Sequence, residues 1–313
     1  MSVRRRLPEI ISPVVGILKG DTNLKPQTIH WSELLPWQRD NHYIQTGYRP
    51  SSLSFRKSFA SLLYLHNESV NIYSHYIGAI LFATLASGLY TLMRPRYETA
   101  TPIDVLVFSC FFIGAGICLG ISGTYHTISN HSPLVARWGN KLDYVGIVFL
   151  IVGSFIPSIF YGFYCHPQFQ NFYWTMISML GLACAAVSVF DRFRTPAWRP
   201  YRAGIFVSLG LSALFPVGHG VRLYGLLEMR NRIGLFWLVL QGLLYILGAA
   251  LYAARWPECS WSNRFDIWGS SHQLFHILVV MAAICHLYGL LVAFDFHHTV
   301  LGAGCYLLQE TGQ

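Results

Sequence analysis

Beyond residue 70 the chain repeats one pattern seven times: a long run of mostly apolar residues, then a short polar join. The runs fall near 71–93, 103–126, 142–164, 171–190, 203–221, 234–253 and 271–295. An α-helix rises about 1.5 Å per residue, so runs of about twenty residues cross a hydrocarbon core roughly 30 Å thick. The joins reach about twenty residues at most and leave no room for an inserted soluble domain. The pattern predicts an all-α membrane protein, a seven-transmembrane helix bundle over 70–296. An N-terminal region over 1–69 precedes it, and a short tail over 297–313 follows. Pro157 and Pro216 are expected to kink the third and fifth spans.

Ahead of the first run, "SFRKSFASLLYLH" spaces Phe55, Phe59, Leu62 and Leu63 at helical intervals beside Arg56 and Lys57. That spacing predicts a short helix lying on the membrane surface, although a simple lead-in turn to the first span fits the same residues. The opening "MSVRRRLPEIISPVVGILKG" has a basic start, but Pro13 and Lys19 break its apolar run, so it is a poor signal peptide. The first seventy residues are expected in the cytosol.

Composition agrees with the pattern. Hydrophobic residues make up 53% and charged residues 12%, with a mean hydropathy of +0.41, too apolar for a soluble domain of this size. Seven cysteines without a C-x-x-C pair give no zinc-ribbon or disulfide framework. Cys110, Cys118, Cys184 and Cys285 fall within predicted spans and read as small core residues. A net charge of +8 raises the question of nucleic acid, but the distribution of the charge gives a different answer. With the N-terminus inside, seventeen Lys and Arg residues lie in cytosolic segments and five in outer ones. Basic residues mark the cytosolic ends of membrane helices, so the N-terminus is expected to be cytosolic and the C-terminus extracellular. G-protein-coupled receptors have the reverse orientation, so neither G-protein coupling nor nucleic-acid binding is expected.

In that topology the unusual polar residues gather at one membrane face. Glu68, Asn71 and His75 open the first span, Ser122 and His126 close the second, Asp143 starts the third, and His272 and His276 start the seventh. His272 and His276 are four residues apart, so they project from one helical face and can share a metal. Such a pair alone is as readily a hydrogen-bonded core pair, and Gln273 after His272 rules out the H-E-x-x-H metalloprotease pattern. His126 at the same depth supplies a third imidazole, the ligand count of a zinc site that keeps an open position. Asp143 is placed to hydrogen-bond a metal-bound water and to act as general base, with Ser122 in support. Glu68, Asn71 and His75 share a face and serve either the site or the bracing of the bundle. His219 and His286 lie too far away to share the metal and read as packing residues.

The ordered set E-x-x-N-x-x-x-H, S-x-x-x-H followed by Asp143, and H-x-x-x-H resembles the progestin and adipoQ receptor family of the haemolysin-III superfamily. "DNHYIQTGYRP" and "NRFDIWGSSHQLFH" are similar to its adiponectin-receptor branch, including fungal zinc-homeostasis members. The resemblance implies zinc on His126, His272 and His276 near the cytosolic face, with Asp143 holding the zinc-bound water. It also implies kinship with alkaline ceramidases, hence hydrolysis of a ceramide-like lipid to a fatty acid and a sphingoid base, and an extracellular protein ligand. Two other readings stay open: a receptor whose zinc only locks helices together, and a regulator of zinc homeostasis. The plasma membrane and the endoplasmic reticulum fit equally.

Overall fold

The computed structural model describes residues 27–93 and 99–302. Among them are α1 (Phe55–Ala60), α2 (Ser69–Met93), α3 (Pro102–Ile128), α4 (Pro133–Gly162) and α5 (Pro167–Ser188). They are followed by α6 (Arg199–Leu211), α7 (Leu214–Arg232), α8 (Leu235–Ala254) and α9 (Ser271–Asp295). Seven helical stretches are long and apolar enough to cross a membrane, with α6 and α7 forming one stretch over Pro196–Arg232.

That fifth span departs most from the apolar pattern, which predicted a single kinked helix over 203–221. The chain breaks at Ser212 and Ala213, four residues before Pro216. Proline has no N–H, and its ring would meet the carbonyl four residues back, which here belongs to Ser212. Phe215 donates to that carbonyl instead, at 3.2 Å. Pro157, by contrast, sits within the continuous α4.

Helices α2, α3, α4 and α9 share the main core, where Phe82 meets Phe111 edge-to-face at 5.6 Å. Small residues let α3 and α4 approach closely. A Cβ on Gly114 would stand 2.5 Å from the carbonyl oxygen of Phe149, and one on Gly153 2.5 Å from that of Cys110. Without a hydrophobic drive between helices in lipid, such backbone proximity is a principal source of packing energy.

At one end of the bundle the N-terminal segment is pinned across the helix ends. The Asp266 carboxylate accepts from the backbone N–H groups of Gln45 and Thr46 at 3.1 and 2.9 Å, and Asp40 pairs with Arg199 and Arg255. Arg49 is buried and donates to the carbonyls of His126 and Thr127 at 2.6 and 2.8 Å. It thereby satisfies carbonyls that the end of a helix leaves without partners. Helix α1 then exposes Phe55 and Phe59 beside Arg56 and Lys57, with exposed Leu63 just beyond.

At the opposite end two features differ from the sequence reading. Helix α9 continues as a π-turn over Phe296–Val300, burying His297 and His298 where the tail was expected to begin. His298 finds a partner in the buried Asp104, at 3.2 Å, and Asp104 also accepts from the Tyr161 hydroxyl at 2.7 Å. Cys165, just past α4, is disulfide-bonded, although no disulfide framework was expected. Cys110, Cys118, Cys184, Cys259 and Cys285 are free.

Candidate metal centre

The residues singled out by the sequence come together at the end that carries the N-terminal segment. Ser122 and His126 occupy the last two turns of α3, Asp143 lies early in α4, and His272 and His276 occupy the first turns of α9. The ligand atoms of His126, His272 and His276 all lie within 4.8 Å of one another. Their ring centroids are 4.7 to 5.0 Å apart.

Hydrogen bonds prepare two of these rings for a metal. His126 uses Nδ1 to meet Glu68 Oε2 at 2.7 Å, and its buried Nε2 has no partner. His276 donates from Nδ1 to the Asn71 carbonyl at 3.1 Å, which leaves the Nε2 lone pair available. A carboxylate or carbonyl on the far nitrogen fixes the tautomer and aims the ring at a metal. Three imidazoles of this kind, two of them oriented and one with an orphaned buried nitrogen, fit zinc.

Glu68 and Asn71, whose role the sequence left open, thus contact two of the three candidate ligands. Asn71 Nδ2 also donates to Glu68 Oε2, at 2.7 Å, and His75 stacks on His276 at 3.8 Å with an interplanar angle of 16°. Burial alone would raise the Glu68 pKa, but His126, as both charge and hydrogen-bond partner, outweighs it and holds the carboxyl well below the usual range. His66 sets Glu68 in place. Its Nδ1 accepts the Glu68 backbone N–H at 3.1 Å, while its own N–H donates to Ser69 Oγ at 3.0 Å. Burial, then the Arg49 charge, pushes the His66 pKa down to about 3, so the accepting nitrogen stays unprotonated. His66 and Arg49 were missed from the sequence. The spacing of His66 and Ser69 at the start of α2 is a cap signal that could have revealed the first, whereas nothing local marks Arg49.

Ser122 hydrogen-bonds the Asp143 carboxylate, and both line one cavity of about 690 Å³ together with the three histidines. Its wall also includes the exposed residues Leu211 and Leu214 at the α6–α7 break and Val239 and Leu243 on α8. This part of the lining is apolar. His219 lies elsewhere, bonded to the Tyr173 hydroxyl at 2.9 Å, and His286 bonds Gln241 at 2.7 Å farther along α9. Both stand apart from the metal ligands, as expected.

Glu68→Gln keeps a hydrogen-bond acceptor but loses the charge behind His126, so zinc affinity should fall roughly 10- to 100-fold. Competition with a chromophoric chelator measures this, and unchanged affinity would show that Glu68 only braces the helices.

Residues 63–287 match the family described as haemolysin-III related. The chain is 47% identical over 261 residues to the adiponectin receptor protein of Drosophila melanogaster, covering 83% of this chain but only 58% of that protein's length. It is 45% identical over 274 residues to the ADIPOR-like receptor IZH2 of Saccharomyces cerevisiae, covering 88% of this chain and 86% of that one. Heptahelical transmembrane protein 4 of Arabidopsis thaliana is 31% identical over 338 aligned residues, covering 84% and 87%.

Proposed function

This chain belongs to the haemolysin-III related family, as an adiponectin-receptor-like membrane protein with seven helical spans, and we propose that it is a zinc-dependent lipid amide hydrolase of the ceramidase type. The observation that carries this reading is the set of three imidazoles opening, with Asp143 and Ser122, into one largely apolar cavity. Zinc, if held by His126, His272 and His276, would supply Lewis-acid chemistry, acidifying a water and polarising a carbonyl.

The side chains of the protein supply the remainder. His126, His272 and His276 hold the ion, while Glu68 and Asn71 keep two of the rings aimed. Asp143, steadied by Ser122, takes a proton from the water that attacks the amide carbon. The C–N bond then breaks, the acyl carbon keeps the water oxygen, and Asp143 returns the proton to the departing amine. The apolar lining suits a lipid whose acyl chain lies along the cavity. Purified protein of measured zinc content, offered ceramide with and without a chelator, tests the reaction. Release of fatty acid only in the zinc-loaded state is the expected result. A fully loaded protein inactive on every ceramide would point instead to a receptor whose zinc ties α3 to α9.

The orientation belongs to the same proposal: N-terminus and metal centre at the cytosolic face, C-terminus outside. The bias of basic residues supports it, as does the disulfide at Cys165, because disulfides persist on the oxidising side of a membrane. Cys165 follows the end of α4 remote from Asp143. A tag after residue 1 should be reached only from the cytosol and one after residue 313 only from outside. Both tags on one side would overturn the arrangement.

A further inference from the structure

The cavity carries a second group of polar side chains well away from the metal ligands. His286 lies ten residues beyond His276 on α9, roughly 15 Å along the axis and within about 40° of the direction of His272. It is 3% exposed. Its Nδ1 bonds Gln241 Oε1 on α8 at 2.7 Å, and its Nε2 makes no hydrogen bond of normal geometry, with the Ser154 backbone as a looser polar neighbour of the ring. One turn beyond Gln241, the buried Tyr245 hydroxyl also lacks a partner. Ser154 and Ser158 of α4 complete the group, and all of these residues line the cavity that holds the metal ligands. The charged residues of the wall, Glu68, Asp143, Arg199 and Arg202 among them, lie at the metal end.

Buried polar atoms are rarely left without a partner, because their lost hydration must be replaced. Two such atoms in one cavity call for a partner on the molecule that fills it. We infer that His286 and Tyr245 form a second subsite, which binds a neutral oxygen, above all a hydroxyl, on the distal part of a lipid chain. The inference rests on the reading that the cavity takes a lipid chain with its amide at the metal centre. A plain alkyl chain would fill the space and leave both atoms unpaired. A charged group would find no counter-charge at this depth. A hydroxyl donates and accepts, so it suits either tautomer of His286 as well as the Tyr245 phenol. At roughly 15 Å from His276, half the thickness of a hydrocarbon core, the subsite addresses the far half of the chain rather than oxygens beside the amide.

The test uses zinc-loaded protein in nanodiscs and fatty acids of one length, unmodified or with a single hydroxyl near the carboxyl, at mid-chain or near the methyl end. Affinity is read by displacement of a fluorescent fatty acid. One distal hydroxy isomer should bind roughly tenfold more tightly than the plain chain, the scale of one or two hydrogen bonds made in a dry site. His286→Leu should abolish that preference while leaving zinc content and plain-chain affinity as they were. So should Tyr245→Phe, which removes one oxygen and keeps the packing. Equal affinity for all isomers would mean that the subsite holds only water and would overturn the inference. A preference that survives both substitutions would overturn it as well. The assay reads binding, so an intact isomer preference without ceramide turnover would sink the proposed reaction alone.

Discussion

Asp143→Asn should leave zinc in place and slow ceramide hydrolysis by roughly two to four powers of ten, the usual contribution of a positioned acid or base. The substitution preserves shape. An asparagine carbonyl still accepts from Ser122, and the three imidazoles and their supports are untouched, so the metal content should match that of the parent. What disappears is the group that takes a proton from water and gives it to the amine. Ser122→Ala, which only frees the carboxylate to wander, should be milder. Measured zinc content beside the turnover number separates a lost base from a lost metal. An Asp143→Asn protein as fast as the parent would show that another group handles the proton.

His276→Ala should remove most of the zinc, and the His272→Ala, His276→Ala pair should bring it to background. Each histidine is one of three donors from two helices, and with two gone only His126 remains, backed by Glu68. Loss of metal should also lower the thermal midpoint, because an ion that binds only the folded state stabilises it by mass action. At free zinc 100 times its dissociation constant that stabilisation is about 2.7 kcal/mol. Chelation should therefore destabilise the parent and leave the double variant unmoved, a comparison that cancels the packing lost with the imidazoles. Full zinc occupancy in the double variant would dismiss the assignment of the site.

The bundle was readable because the bilayer imposes one length on every span, and because polar groups at membrane depth stand out against a 53% hydrophobic background. His272 and His276 announce themselves by spacing, and His126 and Asp143 by depth. Glu68 did not declare its role, since its partner His126 is distant in sequence and only the folded bundle brings Oε2 to Nδ1. The break at Ser212 was half visible: Pro216 gave the place of a disturbance but not whether the helix would bend or part. Arg49 and Asp266 lay in stretches that marked the family resemblance but not their own roles, because the short N-terminal segment has no periodicity that shows where it docks. The same holds for His297 and His298. Two adjacent histidines after an apolar run read as the end of a helix, until Asp104 supplies a partner from another span.

The pinning of that N-terminal segment has a consequence for biogenesis. Asp40, Thr46 and Arg49 are translated long before Arg199, Arg255 and Asp266, and Arg49 clasps the turn of α3 that presents His126. Residues 40–46 therefore cannot complete their docking until Arg255 and Asp266 have been made. A nascent polypeptide halted after α8 already possesses His126, Asp143 and Glu68, yet it lacks His272 and His276 and two anchors of the strap, Arg255 and Asp266. On the proposed zinc reading, metal loading is thus reserved for a chain extended through the first turns of α9.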